Sequence, residues 1–85
     1  MPWDLQIDRS VLKELQKIPR EDTADILKVL RLLPLNPFFG DIQKMQGKYD
    51  TWRRRVGSYR IFFVIKKDLR TILVFHLERR TSKTY

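Results

Sequence analysis

The segment WRRRVGSYRIFFVI, residues 52–65, predicts the β-hairpin around which the rest of the fold can be arranged. Gly57 and Ser58 stand between two strand-like runs, and glycine at the first central position suits a two-residue type II′ turn. Such a turn fixes the register of the two strands, so that Val56 pairs with Tyr59.

Three arginines fall on one face of this hairpin. Strand alternation puts Arg53, Arg55 and Arg60 together, and the register places Arg55 directly opposite Arg60. Like charges in this relation destabilise a strand pair, whereas a phosphate between them would turn repulsion into binding. We therefore predict a phosphate or nucleic-acid site here, and the alternative is a solvated face with well-separated guanidinium groups.

Arg54 does not fit the same pattern. Strand alternation places its side chain on the same face of the hairpin as Trp52, Val56 and Ile61, where an apolar residue is expected. Either the strand lies at a sheet edge and Arg54 extends into solvent, or a bulge alters the register.

The chain after Asp41 is predicted to be β-structure. The candidate strands are a short one at Asp41–Met45, followed by Trp52–Val56, Tyr59–Ile65 and Thr71–Leu77. IFFVI and ILVF are continuous apolar runs, which are typical of central strands covered on both faces.

The first 33 residues predict one strand and two helices. Trp3, Leu5 and Ile7 alternate as in a half-buried strand. Ser10 is the expected N-cap of a helix that ends at Pro19, with an apolar stripe of Val11, Leu12, Leu15 and Ile18. A second helix is expected from about Glu21 to Leu33, with a stripe of Ile26, Val29, Leu30 and Leu33. The predicted fold class is α+β, in the order β-α-α-β-β-β, with the helical hairpin packed on one face of a small antiparallel-centred sheet.

Length and composition limit the possible functions. The 85 residues, 42% of them hydrophobic, are enough for one small domain spanning residues 1–85. The absence of cysteine excludes disulfides and thiolate metal sites, and a single histidine cannot build a histidine metal site. We expect no cofactor, no membrane span and no signal segment, and hence a cytoplasmic location.

The positive charge is concentrated in the second half of the chain. The net charge is −1 for residues 1–42 and +9 for residues 43–85. Charge that served solubility alone would be spread more evenly, so this asymmetry favours a surface that faces a polyanion.

Four further residues or pairs have competing interpretations. His76 lies in an apolar strand and is expected to be structural rather than a general base. Glu78 is expected to pair with a neighbouring arginine, and Phe38 and Phe39 to pack between helix and sheet. Tyr85 could stack on a base or orient a hydroxyl, and the alternative is a frayed chain end.

The chain resembles the RelE/ParE superfamily of toxins from bacterial and archaeal toxin–antitoxin modules. The resemblance covers nearly the whole chain and rests on SVLKELQKIP, ILKVLRLLPLNPF, DIQKMQGKYDTWRRRVGSYRIFFVI and ERRTSKTY. Its most specific part is the hairpin pattern aromatic-Arg-x-Arg-x-Gly-x-Tyr-Arg at residues 52–60. A small antiparallel-centred sheet with two N-terminal helices is the fold that this resemblance implies.

The RelE-like branch of this superfamily cleaves messenger RNA in the ribosomal A site, and the residues match that branch. The implied reaction is attack of a 2′-hydroxyl on the adjacent phosphate. The implied catalytic residues are Arg53, Arg55, Arg60, Arg79 and Tyr85, and the implied RNA-binding residues are Lys44, Lys48, Arg53, Arg55, Arg80 and Lys83. In this resemblance Tyr85 orients the 2′-hydroxyl, and Arg55 takes a base position that is often lysine. Arg53 and Arg60 stabilise the phosphate, and Arg79 assists the leaving 5′-oxygen.

The implied partners are a cognate antitoxin protein, the ribosome and messenger RNA, with neither a membrane nor a small-molecule cofactor. Two alternatives stay open on sequence alone. A ParE-like toxin would inhibit DNA gyrase, and a non-catalytic domain would only bind RNA or DNA.

Overall fold

A computed structural model describes residues 2–80, which form two helices and five strands. The elements are β1 (Asp4–Ile7), α1 (Arg9–Leu15), α2 (Arg20–Leu32), β2 (Ile42–Lys44), β3 (Thr51–Val56), β4 (Tyr59–Lys66) and β5 (Thr71–Arg79). The α+β class is confirmed, but the predicted order β-α-α-β-β-β counts only three strands after the helices. The short candidate strand near Asp41 is a strand of the sheet, because β2 pairs with β3, and four strands therefore follow the helices.

The five strands form one sheet in the order β1-β5-β4-β3-β2. The pairs β2–β3, β3–β4 and β4–β5 are antiparallel, whereas β1 lies parallel to β5 at the opposite edge from β2. The hairpin of β3 and β4 therefore lies inside the sheet, with β4 at its centre.

Both helices pack on one face of the sheet, as predicted. The apolar stripe of α2 is buried against side chains of the central strands, and Leu33 and Phe63 are fully excluded from solvent. In α1, Val11 and Leu15 are buried but Leu12 is exposed, so the predicted stripe is narrower than expected. The N-cap of α1 is Asp8 rather than Ser10.

The cap of α1 explains that difference. The Asp8 carboxylate accepts hydrogen bonds from both the backbone N–H and the hydroxyl of Ser10. These bonds lower the pKa of Asp8. Ser10 thus donates to the cap instead of forming it.

The opposite face of the sheet is open, in contrast to the prediction that both faces of the central strands are covered. Phe62 is largely buried by its neighbours in the strands, whereas Val64 and Leu73 are half-buried and Phe75 is 37% exposed. We call this side of the sheet, away from the helices, the open face. The apolar runs of β4 and β5 therefore supply an exposed patch as well as the core.

A β-bulge interrupts the pairing of β4 with β5. Phe63 pairs with Val74 while Phe62 pairs with His76, so Phe75 is an extra residue in β5. Beyond this point alternation is reversed, and Leu77 turns into the core. Within residues 2–80, no helix is long and apolar enough to cross a membrane.

Candidate nucleic-acid interface

The hairpin has the predicted turn and register. Gly57 has a φ of +59°, and Ser58 is not among the residues with positive φ, which fits a type II′ turn. Val56 pairs with Tyr59, and Arg55 pairs with Arg60. The two arginines are therefore cross-strand neighbours on the open face.

The arginines of the open face share one shallow cavity of about 240 Å³, which we call the arginine cavity. It is lined by Arg53, Arg55, Arg60, Asp41 and Gln43. Three guanidinium groups in one concave surface supply fixed hydrogen-bond forks that match phosphate oxygens. The arrangement can bind a phosphodiester and stabilise extra negative charge on it.

Side chains near β2 hold two of these arginines in place. The Nε atom of Arg55 lies 2.8 Å from Oδ2 of Asp41, and Nη2 of Arg53 donates a 2.6 Å hydrogen bond to Oε1 of Gln43. These contacts orient the two guanidinium groups, because each partner is attached to backbone paired with β3.

Arg60 is held from the other side, by β5. Its Nη1 atom lies 3.7 Å from Oε2 of Glu78, which confirms the prediction that Glu78 pairs with an arginine. His76 lies 3.3 Å from the same carboxylate, and its ring centre is 5.2 Å from that of Phe62. His76 was predicted to be a structural residue within an apolar strand. Its surroundings contradict that prediction, because the bulge at Phe75 leaves the imidazole exposed.

Arg54 follows neither of the two arrangements predicted for it. Its strand is internal, and the β3–β4 ladder has no bulge. The guanidinium instead stacks over the ring of Phe39 and donates a hydrogen bond to the carbonyl oxygen of the same residue. Burial lowers its pKa, and the charge of Asp41 acts in the opposite direction.

Phe38 and Phe39 were predicted to pack between helix and sheet, and this holds for Phe39 but not for Phe38. Phe39 packs against the hydrophobic core, and Phe38 makes edge-to-face contacts with Trp3 and Trp52. These contacts fix the course of the chain directly before Asp41, and hence one wall of the arginine cavity.

Tyr59, the tyrosine of the hairpin pattern, attaches the hairpin to α2. Its hydroxyl lies on the core side and donates a 3.3 Å hydrogen bond to Oδ2 of Asp22. Burial raises the pKa of Tyr59, and the nearby Asp22 carboxylate raises it further. This tyrosine is a structural part of the site, since its side chain points away from the open face.

Arg79 and Arg80 differ in their surroundings. Arg79 pairs with the core-facing Tyr59, so alternation directs it towards the helix-bearing side. Arg80 lies against the hairpin turn, where its backbone N–H donates to Ser58 and its Nη1 donates to the carbonyl oxygen of Gly57. The Nε atom of Arg80 is buried without a hydrogen-bond partner among the described residues.

The predicted lysines are dispersed. Lys44 pairs with Trp52 and lies 5.9 Å from its ring centre, on the face of β2 opposite Gln43. Lys48 is exposed in the connection between β2 and β3. Lys83 and Tyr85 lie outside the described residues, so their predicted roles stay predictions.

Sequence reasoning missed Asp41 and Gln43 as members of the site. The available signal was alternation in the short candidate strand at 41–45, which puts these two residues on one face and Ile42 and Lys44 on the other. What it lacked was the pairing of this strand with β3, and this pairing brings the two polar residues beside Arg53 and Arg55.

Comparison with known families identifies the chain. A model of the ParE toxin of type II toxin–antitoxin systems, parDE, matches residues 5–83. The chain belongs to this toxin family. It is therefore a toxin of the RelE/ParE superfamily, as the hairpin pattern predicted.

Relatives of this toxin come from archaea and bacteria. A curated protein of Methanocaldococcus jannaschii named "Putative toxin RelE1" is 28% identical over 83 residues, which cover 94% of this chain and 92% of that protein. The toxin in the crystal structure of an archaeal RelE–RelB complex from Pyrococcus horikoshii is 25% identical, with a TM-score of 0.85 over 98% of this chain and all of the other. A free E. coli RelE mutant shares the fold, with a TM-score of 0.76 at 21% identity over 93% of this chain and 84% of that one.

Proposed function

We propose that this toxin is an endoribonuclease that cleaves messenger RNA in the ribosomal A site. The observation that carries the proposal is the convergence of Arg53, Arg55 and Arg60 on the arginine cavity. Like charges directly opposite each other destabilise a strand pair, and a phosphate bound between Arg55 and Arg60 would reduce this cost. The family resemblance assigns RNA cleavage to the branch that carries these residues.

The proposed reaction is attack of a 2′-hydroxyl oxygen on the adjacent phosphorus, which yields a 2′,3′-cyclic phosphate and a free 5′-hydroxyl. Negative charge grows on the phosphate oxygens in the transition state. The three guanidinium groups lie in fixed positions to stabilise that charge, which removes the need to reorganise them during the reaction. The ribosome would contribute by holding the codon in position, so cleavage of free RNA should be weak.

The residues at the chain end are assigned by resemblance. Tyr85 would orient the 2′-hydroxyl, and an arginine after the last strand would assist the leaving 5′-oxygen. The resemblance assigns the second role to Arg79, but the pairing with Tyr59 supports its neighbour Arg80 as the residue nearer the open face. Lys48 and Lys83 would add phosphate contacts beyond the scissile bond, as would Lys44 if the RNA extends around the edge at β2.

The proposed partners are a cognate antitoxin, the ribosome and messenger RNA, in the cytoplasm. The solved relatives include RelE–RelB complexes from Pyrococcus horikoshii and Methanococcus jannaschii, which supports an antitoxin for this toxin as well. The exposed apolar patch beside the arginines is a surface that such a protein could cover.

A second candidate function is inhibition of DNA gyrase. It is favoured by the matching family model, which describes the ParE toxin of parDE systems. The presence of the arginine cavity does not by itself separate the two functions.

Primer extension on a translated message after induction of the toxin tests the proposal. We expect discrete cuts within codons, which should disappear when translation initiation on the message is blocked. Intact messages together with loss of supercoiling activity in a purified gyrase assay would instead establish the second candidate.

A further inference from the structure

We propose that Asp41 accepts the proton of the attacking 2′-hydroxyl, an inference that rests on the proposed RNA cleavage. The reaction needs a proton acceptor, and the arginines cannot supply one, because a guanidinium stays protonated and has no free lone pair. A tyrosine is also poorly suited, because phenols ordinarily titrate at about pH 10 and so carry their proton at neutral pH.

Asp41 is the carboxylate that lines the arginine cavity within residues 2–80. Its side chain is 59% exposed, so a substrate can reach it. A carboxylate has about four lone-pair positions on its two oxygens, and the contact with Arg55 uses Oδ2. The other oxygen, Oδ1, keeps its capacity to accept a proton.

The position of Asp41 is set by the fold. Its backbone carbonyl oxygen accepts a 3.0 Å hydrogen bond from the N–H of Arg55, and its side chain contacts the guanidinium of the same residue. On the preceding side, Gly40 has a φ of +83° and lies directly against the guanidinium of Arg54. Asp41 is thus held on both sides, as general-base catalysis requires.

Glu78 is the competing carboxylate on the open face, and its contacts disfavour it. It lies within 3.7 Å of Arg60 and 3.3 Å of His76, and it does not line the arginine cavity. Glu78 is therefore placed to hold the guanidinium of Arg60 rather than to accept a proton from the substrate.

In the proposed step, Oδ1 of Asp41 takes the proton from the 2′-hydroxyl while the 2′-oxygen forms a bond to phosphorus. The guanidinium groups of Arg53, Arg55 and Arg60 stabilise the phosphorane. The bond between phosphorus and the 5′-oxygen then breaks, and the 5′-oxygen takes a proton from solvent water. The products are a 2′,3′-cyclic phosphate and a 5′-hydroxyl, and Asp41 later returns its proton to solvent.

The test is cleavage of a programmed messenger RNA on purified ribosomes by Asp41→Asn. The amide is nearly isosteric and its oxygen can still accept the hydrogen bond from Arg55, so the fold and the arginine cavity should be retained. We expect single-turnover cleavage to fall by about 100-fold to 10,000-fold, the usual contribution of a general base. Binding to ribosomes should be unchanged or tighter, because a negative charge has been removed from a phosphate site.

Two further variants separate catalysis from simple charge effects. Asp25→Asn removes the same charge from an exposed position of α2 and should cleave at the wild-type rate. Asp41→Glu keeps a carboxylate and should retain more activity than Asp41→Asn. If Asp41→Asn cleaves as fast as the wild type, or faster, Asp41 is only a counter-ion for Arg55 and the inference is wrong.

A double variant tests whether Asp41 acts only through Arg55. If Asp41 is the proton acceptor, adding Asp41→Asn to Arg55→Gln should lower the rate further. Equal rates for the double variant and Arg55→Gln alone would mean that Asp41 only orients Arg55, which overturns the inference. Absence of cleavage by the wild type under the same conditions would instead refute the proposed function itself.

Discussion

The guanidinium of Arg54 lies 4.2 Å from the ring centre of Phe39 and donates a 3.0 Å hydrogen bond to the carbonyl oxygen of that residue. One side chain thus binds both the ring and the backbone of the segment that leads to Asp41. Arg54 is therefore a structural arginine, although it stands between two arginines of the cavity.

Gly40→Ala should destabilise the toxin more than Gly47→Ala. Both glycines have positive φ, for which an L-residue costs about 1–2 kcal/mol. A Cβ on Gly40 would also clash with Cζ of Arg54, whereas a Cβ on Gly47 would meet no atom within 4 Å. The free energy of unfolding, measured by urea denaturation, should fall more for Gly40→Ala. Equal losses would mean that Arg54 moves aside without consequence.

Arg53→Gln should weaken binding to RNA and make it less dependent on salt. Each phosphate contact on a single strand contributes about 0.7 to the slope of log K against log salt concentration. The slope should fall by roughly that amount for Arg53→Gln. Arg31→Gln, at an exposed position of α2, removes the same charge and should leave the slope almost unchanged. A wild-type slope for Arg53→Gln would argue against a phosphate contact at this residue.

Arg80→Gln should reduce ribosome-dependent cleavage more than Arg79→Gln. Arg79 pairs with core-facing Tyr59, whereas Arg80 bonds to the hairpin turn beside the arginine cavity. We expect a loss of at least about tenfold for Arg80→Gln, since removal of a single charge-stabilising donor commonly costs more. Single-turnover rates on programmed ribosomes measure the difference. A larger loss for Arg79→Gln would restore the assignment made from family resemblance.

Tyr59 should make the toxin less stable at high pH. Burial raises the pKa of Tyr59 in the folded state, so above pH of about 10 the unfolded chain loses this proton first. The stabilisation that results is fully present below that pH, and it is lost as the pH rises through the pKa of Tyr59 in the folded state. The melting temperature should therefore fall more steeply from pH 9 to 11.5 for the wild type than for Tyr59→Phe. Tyr49→Phe, at an exposed tyrosine, should follow the wild type.

Tyr85→Ala should leave folding and antitoxin binding intact but reduce cleavage by roughly tenfold to a hundredfold or more, since stacking on a base is worth about 1–3 kcal/mol. Tyr85→Phe separates the two functional roles. An active Phe variant would assign base stacking, and an inactive one would assign the hydroxyl. Wild-type cleavage by Tyr85→Ala would remove Tyr85 from the site.

The sequence was most informative where local chemistry determines geometry. The Gly57–Ser58 turn was enough to predict the register that pairs Arg55 with Arg60, and the apolar stripe of α2 predicted its buried face. The pairing of β2 with β3 depends on contacts between segments separated by a loop, and no local pattern specifies it. For this reason, Asp41 could be recognised as a residue of the arginine cavity only from the folded structure.

Arg54 and His76 show a second limit. Strand alternation correctly predicted the sheet face on which Arg54 lies. It could not predict the contact with Phe39, which is 15 residues away in the sequence. His76 was assigned to an apolar interior because its neighbours in sequence are apolar. A bulge has no reliable signature in such a run, since any of several residues could be the extra one.

The bulge at Phe75 determines which side chains of β5 reach the open face. If β5 kept Phe75 but continued the register of Val74 without a bulge, Phe75 would pair with Phe62 and Leu77 would pair with Arg60. Alternation would then place Leu77 beside the arginine cavity and direct Glu78 towards the helices. Because Phe75 is the extra residue, deletion of this one codon would leave His76 opposite Phe62 and Glu78 opposite Arg60. In the evolution of this toxin, β5 could therefore lose its bulge without moving the carboxylate that holds Arg60.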